Sequence, residues 1–463
     1  MRAILTGKRN IMKDRLYLFY SSVLILYIIN RFLSSASLDY VIGLLAIAML
    51  VISFKQGSTL FKVLGGAFMA SGSLMYVTAG LSIKGLPLFF TTNMQLLAFL
   101  MVLPWINSVV HVGKYDQHIN GLMKEKVHHL GSLYSRSVLT TYILMTFLNL
   151  SAVNLSQSVL LKSMKNMSKA VRDNFISRAT IRAFTMALIW SPMEIIVAIT
   201  VDATGVSYLI YLPWLLGISF FILLLDSVIG WYRFKPIAYE PALESVAHDV
   251  PIQKIIQEIL KLFAALVLFL VIVLSLSHLF QLNFILTVTL VIVPFSCVWA
   301  IVIKRWYLFK VFGFEVWKQQ TNKIQNFVIL FITLAFFTNS LNETTLLQYV
   351  QRPFVIFDHS PLMILILILA TYFFMAMIGV HPVGTIAILL EVLAPLFHIF
   401  NPAAIGIVLI VGALATSSSS TFGVVLTLTS INTEQNPYRI TLRNLPFTLL
   451  YGAIGIAVAM MII

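Results

Sequence analysis

Residues Leu148 to Leu161 read LNLSAVNLSQSVLL, and Met377 to Leu390 read MIGVHPVGTIAILL. Each places a polar or Gly- and Pro-containing centre inside a longer apolar stretch, 137–162 and 361–398. A plain transmembrane helix needs about 20 mostly apolar residues. A break frees backbone N–H and C=O groups, tolerated in a bilayer only where protein or water satisfies them. Both stretches are therefore expected to be re-entrant hairpins.

Around them lie eleven stretches long and apolar enough to cross: 16–34, 38–54, 60–83, 94–111, 179–201, 206–229, 257–280, 283–303, 326–342, 402–427 and 444–463. The composition agrees, with 59% hydrophobic and 10% charged residues in 463 and a mean hydropathy of +0.94. Soluble domains average about 45–50% apolar and about 25% charged. The long apolar runs exclude a β-barrel, whose strands alternate over about ten residues. A single cysteine, Cys297, excludes an intramolecular disulfide framework and Cys-based metal sites. The basic N-terminus lacks a small-residue cleavage site, so no removable signal peptide is expected. The expected fold is an all-α polytopic membrane protein.

Charge sets the orientation. With the N-terminus in the cytoplasm, only Arg31, Lys84 and Arg352 of 31 basic residues fall outside. The net charge of +14 is thereby read as loops held at an anionic leaflet, and nucleic acid is not implied. Stretches 114–130 and 304–325 mix charge with large apolar residues, as interfacial helices do. His128-His129 reads as solvated, and no metal site is expected.

The two halves repeat in order. Leu60-Phe61-Lys62-Val63-Leu64-Gly65 matches Leu308-Phe309-Lys310-Val311-Phe312-Gly313; Asn107-Ser108 matches Asn339-Ser340; Leu212-Pro213-Trp214 matches Leu445-Pro446-Phe447. In each half a hairpin precedes a helix interrupted by polar residues, Trp190-Ser191-Pro192 in 179–201 and Ser417 to Thr421 in 402–427. Residues 1–230 form a first repeat with one extra span, 231–256 a cytoplasmic linker, and 257–463 a second repeat of opposite topology. Inverted repeats with discontinuous helices are the architecture of many secondary transporters.

A half-helix N-terminus offers N–H donors to an anion, and a half-helix C-terminus offers carbonyls to Na⁺. The first tip supplies Asn149, Ser151, Asn154, Ser156, Gln157 and Ser158; the second supplies His381, Pro382, Gly384 and Thr385. From these, Ser151, Asn154, Ser156, Ser191, His381, Gly384, Thr385, Ser417, Ser418, Ser419, Ser420 and Thr421 are the candidate substrate ligands. The bland alternative is that such hydroxyls bond back to helical carbonyls. Ionisable residues at membrane depth are functional by default, so Glu194 and Glu391, with Asn154, are the candidate coupling-ion ligands. Asp226 and Asp202 lie near the ends of their spans and are expected to reach water.

At these residues the chain resembles the ion transporter superfamily of divalent-anion:sodium symporters, citrate–metal carriers and arsenite-efflux-type permeases. The likeness is the order of hairpin, broken helix and final span over about 136–230 and 361–463. In much of that family Ser-Asn-Thr motifs at the tips hold carboxylate and Na⁺. Here the tips carry Asn154-Leu155-Ser156 and His381-Pro382-Val383-Gly384-Thr385. The resemblance implies a homodimer with a scaffold region, and a transport region moving in an elevator-type cycle.

Three functions are weighed. The first is a secondary transporter of a small organic or inorganic anion, carboxylate-like, coupled to Na⁺ or H⁺, in the inner membrane of a bacterium. The second is a cation/proton antiporter, or an exporter of amphipathic or lipid-like solutes. An intramembrane glycosyl or acyl transferase is the third. It lacks a compact catalytic set in the long loops, so no enzyme is expected. No Walker A pattern is present, and no cofactor is implied beyond a coupling Na⁺.

Overall fold

A computed structural model describes residues 15–115, 119, 129–239, 252–357 and 359–463, the side chains of Phe147 and Ile252 excepted. Most of the interfacial stretch 114–130, residues 240–251 of the linker, and the basic residues before position 15 lie outside it. Among the described residues there are nineteen α-helices, two 3-10 helices and no strand.

Eight helical segments are long and apolar enough to cross a membrane, and one bent pair raises this to nine. The two spans expected to be interrupted are so. Stretch 179–201 is two helices, and so is 402–427. Stretch 326–342 is helical but joined at a 53° bend to Trp306–Thr321, the segment expected at the interface.

The chain packs as two compact units, each drawing on both halves of the sequence. The first comprises Met1–Val112, Leu279–Ile356 and Ala387–Ala394. Its helices are α1 (Leu16–Leu33), α2 (Ala36–Gln56), α3 (Thr59–Thr78), α4 (Met94–Val112), α11 (Phe284–Val302), α12 (Trp306–Thr321), α13 (Gln325–Asn342) and α14 (Leu346–Val355). Here α3 packs on α13 as α12 packs on α4, and α2 packs on α13 as α11 packs on α4. That is the arrangement two related halves would give. The repeated glycines sit at these crossings. A Cβ on Gly65 would lie 2.5 Å from Ile329 of α13, and one on Gly313 would lie 3.3 Å from Trp105 of α4.

The run 60–83 stops short as a helix at Thr78, and Ile83–Phe90, which contains Pro87, is 3-10. This turn lies against α2, where a Cβ on Gly43 would come 2.3 Å from the Pro87 carbonyl oxygen. Backbone cannot yield as a flexible side chain does. Gly43→Ala is expected to destabilise the protein by about 1–3 kcal/mol through overpacking, read as a lower melting temperature in detergent. An unchanged melting temperature would show that the contact is looser than drawn.

The second unit comprises Gly113–His278, Phe357–Ile386 and Pro395–Ile463. It holds the first hairpin, α5 (Leu130–Leu148) and α6 (Leu150–Ser163), then the first broken helix, α7 (Lys169–Leu188) and α8 (Ile195–Thr204), and α9 (Tyr208–Phe234). From the second half come α15 (Pro361–Met377) and the start of α16 (Pro382–Leu393), then α17 (Pro402–Ser417), α18 (Val424–Thr433) and α19 (Pro437–Met460). Helix α10 (Ile252–Phe280) connects the halves.

Packing again comes in matched pairs: α5 on α7 and α9, as α15 on α17 and α19; α7 on α18, as α17 on α8. The matched prolines Pro213 and Pro446 both lie inside their helices. At the centre, every residue of α17 from Ala403 to Thr416 is buried, as expected of a helix that is apolar all round. The arm α6 has 14 residues, about 21 Å at 1.5 Å per residue and short of a hydrocarbon core about 30 Å thick; α16 has 12 and continues as the 3-10 helix Ala394–His398.

Candidate functional site

Both hairpins turn on a residue with positive φ. Asn149 (φ +47°) separates α5 from α6, and Gly379 (φ +90°) lies between α15 and α16. Such backbone suits Gly, and Asn tolerates it better than most residues. The two broken helices stop for different local reasons. In the first, Pro192 has no N–H and disfavours helical backbone at Ser191. The second unwinds through Ser418 to Thr421 and resumes after Gly423, which takes extended backbone before α18.

The groups freed by the first break are satisfied locally. Ser219 Oγ donates to the Met186 carbonyl at 2.7 Å, and the Tyr208 hydroxyl donates to that of Trp190. Trp190 Nε1 donates to the Tyr142 hydroxyl at 2.8 Å, which lies 2.7 Å from Ser219. Glu194 occupies the N-cap position of the resumed helix and is only 8% exposed. Its carboxyl faces the Asn149 side chain of the hairpin tip and the backbone N–H groups of Ile195 and Ile196. Among the described residues no Lys, Arg or His nitrogen lies within 4 Å of it.

The second break also meets the hairpin of its own half. Ser420 Oγ donates to the Ala376 carbonyl at 3.3 Å, and Phe422 lies against Gly379. Thr421 pairs with Thr441 of α19 at 2.9 Å. By contrast Ser417, Ser418 and Ser419 donate back to carbonyls three or four residues earlier, at 2.9, 2.7 and 3.5 Å. Ser418 also lies 2.8 Å from the Thr448 hydroxyl. The serine tract thus divides: Ser420 and Thr421 reach other elements, Ser417 and Ser419 serve their own helix, and Ser418 does both.

The remaining expected residues fall in several settings. Ser191 Oγ accepts from the Met193 N–H within the break at 3.4 Å. His381 Nδ1 accepts from the Val383 N–H at 3.3 Å at the start of α16, and Gly384 N–H donates to the His381 carbonyl at 2.8 Å. Thr385 and Ser156 are fully buried, and their hydroxyls have no hydrogen-bond partner among the described residues. Ser151 is exposed on the first turn of α6. Glu391 lies in the part of α16 that packs in the first unit, where its carbonyl accepts from Gln351 at 2.9 Å and its carboxyl faces Asn342.

Two clusters were not expected. Gln157 Nε2 donates to Thr180 at 2.9 Å and to Thr429 at 2.8 Å. Its Oε1 accepts from Asn432 at 2.9 Å, and Asn432 also donates to Asn154 at 2.8 Å. The first hairpin is thereby joined to both broken helices. Gln157→Leu removes one hydrogen bond from each of Thr180, Thr429 and Asn432, which each keep another, at about 0.5–1.5 kcal/mol per bond lost. It is expected to raise amide exchange in α6 and α18 above that of α17. Unaltered exchange in those two helices would show that the junction does not hold the hairpin.

The second cluster corrects the placement of Asp226, which is buried rather than wet. Arg182 Nη1 donates to Asp226 at 2.6 Å, and the Tyr134 hydroxyl donates to its other oxygen at 2.8 Å. Arg182 Nε donates to Asn444 at 3.0 Å, and its guanidinium stands 4.8 Å over the Phe447 ring. Helices α5, α7, α9 and α19 meet there.

No protein-family model matches this chain, and no curated protein does. Solved structures match its fold. The YdaH transporter of Alcanivorax borkumensis, described as having an unusual topology, is similar at a TM-score of 0.59 and 14% identity, covering 90% of this chain and 97% of that one. MtrF of Neisseria gonorrhoeae, described within a class of antimetabolite efflux pumps, is similar at a TM-score of 0.59 and 12% identity, over 85% and 94%. The fold of this chain is one that transporters use. At such identity the likeness carries fold alone.

Proposed function

We propose that the protein is a secondary active transporter of a small organic or inorganic anion, carboxylate-like in the first instance, driven by Na⁺ or H⁺. One observation carries this reading: a buried carboxyl with no basic nitrogen within 4 Å among the described residues, where a hairpin tip meets the N-terminus of a half-helix. A carboxylate buried without counter-charge is unfavourable, and a bound cation or proton would complete it. The anion is assigned to the second break, where Ser420, Thr421 and the N-terminal end of α18 offer hydroxyls and N–H groups.

The split of each half between two separately packed units suits an elevator-type cycle in a homodimer. The lopsided basic residues favour the cytoplasmic membrane of a bacterium with the N-terminus inside. This keeps the kinship with divalent-anion symporters as part of the proposal. A second reading, export of amphipathic solutes, is favoured by the efflux description given to MtrF.

The test is uptake into, and release from, proteoliposomes under imposed Na⁺ or pH gradients. Dicarboxylates, oxyanions and amphipathic aromatic carboxylates would be offered in turn. Gradient-driven movement of one class identifies cargo and coupling ion together, and its direction separates import from export. No movement of any class under either gradient would overturn the assignment.

A further inference from the structure

The buried Arg182–Asp226 pair leaves a surplus of positive charge beside it. Five guanidinium groups gather from three helices: Arg178 and Arg182 of α7, Arg233 of α9, and Arg439 and Arg443 of α19. Arg182 Nη2 donates to the Arg443 carbonyl at 3.4 Å, Arg443 Nη1 reaches Ser177, next to Arg178, at 3.1 Å, and Arg178 lies within the repulsive field of Arg182, Arg233 and Arg443. Arg443 is similarly placed against Arg233 and Arg439. Two aspartates face the group. Asp226 is engaged by Arg182 and Tyr134, and Asp173 is shared among Arg172, Lys169 and Arg443, with Glu434 alongside.

Among the described residues, Arg178, Arg233 and Arg443 have no carboxylate oxygen within 4 Å. Arg178 spends Nε on Asn174 at 2.9 Å, and Arg443 spends Nη1 on Ser177 at 3.1 Å and Gln435 at 2.9 Å. A guanidinium carries five N–H donors, so most remain for a ligand. Gathering like charges from three helices opposes folding unless something anionic offsets the repulsion.

The surroundings indicate which anion. Helices α9 and α19 are both long and apolar enough to cross a membrane. Arg233 lies in the last turn of α9, and Arg439 and Arg443 lie in the first two turns of α19. Tyr232 and Leu442, each 67% exposed, adjoin two of these arginines, with Ile229 and Tyr438 also exposed one turn away. Apolar surface for an acyl chain thus borders arginines at headgroup depth. Basic pockets between membrane helices bind anionic headgroups in this way, and guanidinium matches phosphate in a bidentate fork.

We propose that Arg178, Arg233 and Arg443 form a binding site for the phosphate of an anionic phospholipid headgroup. The full chain would be released from micelles doped equally with phosphatidylglycerol or phosphatidylcholine and weighed by native mass spectrometry. Phosphatidylglycerol is expected to stay bound to the wild type, and to fall at least fivefold in Arg178→Gln/Arg233→Gln. In neutral detergent that variant should melt at or above the wild-type temperature, because repulsion is relieved. Added phosphatidylglycerol should then raise only the wild type.

Equal retention in both proteins, or equal retention of phosphatidylcholine, would overturn the site. So would a variant that melts lower in neutral detergent, since repulsion would then not be present. Inorganic phosphate at millimolar concentration is expected to leave the lipid in place. Displacement by it would overturn the lipid assignment in favour of a soluble anion.

Discussion

Asp226→Ala is expected to destabilise the protein by about 3–5 kcal/mol, the usual effect of removing one partner from a buried ion pair. Asp226 is 3% exposed and Arg182 is 5% exposed, so water cannot take the place of the lost carboxylate. The guanidinium left behind cannot shed its charge by losing a proton. Arg182→Met should do less harm, because the remaining carboxyl keeps its bond from Tyr134 and a carboxyl can be neutralised by a proton. Arg182→Met/Asp226→Leu should be more stable than Asp226→Ala, since an apolar pair avoids the desolvation penalty. Full recovery is not expected, because Tyr134 and Asn444 each lose a partner. Melting temperatures in one detergent rank the three variants. A double variant below Asp226→Ala would show that the cluster does not act through its charge.

This cluster marks where sequence reading stops. Arg182 lies near the start of an apolar stretch and reads as one more cytoplasmic charge, and Asp226 reads as a span-end residue in contact with water. Their burial depends on α5 and α19, which supply Tyr134 and Asn444 from 48 residues before Arg182 to 262 after it. No local pattern carries that. Chain punctuation, by contrast, is local. The polar centre from Asn149 to Ser158, the His381-Pro382 pair and Ser191-Pro192 mark the tips and the first break, because proline restricts the backbone wherever it occurs and polar groups interrupt an apolar run.

The serine tract was legible as a break but not as a set of ligands. Which hydroxyl turns outward depends on the phase at which α17 unwinds. That phase leaves Ser417 to Ser419 on their own carbonyls and sends Ser420 and Thr421 to α15 and α19. Glu391 shows the same limit. It lies ten residues after His381 on one helix, yet α16 passes from one packed unit to the other between them.

Glu194→Gln is expected to lower gradient-driven transport at least tenfold, equivalent to about 1.4 kcal/mol or more on the barrier, while the folded state is kept. Gln has nearly the volume of Glu, so the packing of the first break and its contact with Asn149 should persist. What is lost is the negative charge, the one feature able to hold a cation or a proton there. The α8 N-terminus favours that charge by about 0.3–1 kcal/mol in exposed settings, too little alone to offset burial. The unliganded Gln variant should therefore melt no lower than the wild type, and addition of the coupling ion should no longer stabilise it. For comparison, a ligand at a hundredfold excess over its Kd adds about 2.7 kcal/mol to a protein that binds it. Ser418→Ala is the matched control. Its hydroxyl serves the Ala415 carbonyl and Thr448, so transport should fall far less. Wild-type transport in Glu194→Gln, or equal losses in both variants, would remove Glu194 from the coupling step and leave the second break to supply it.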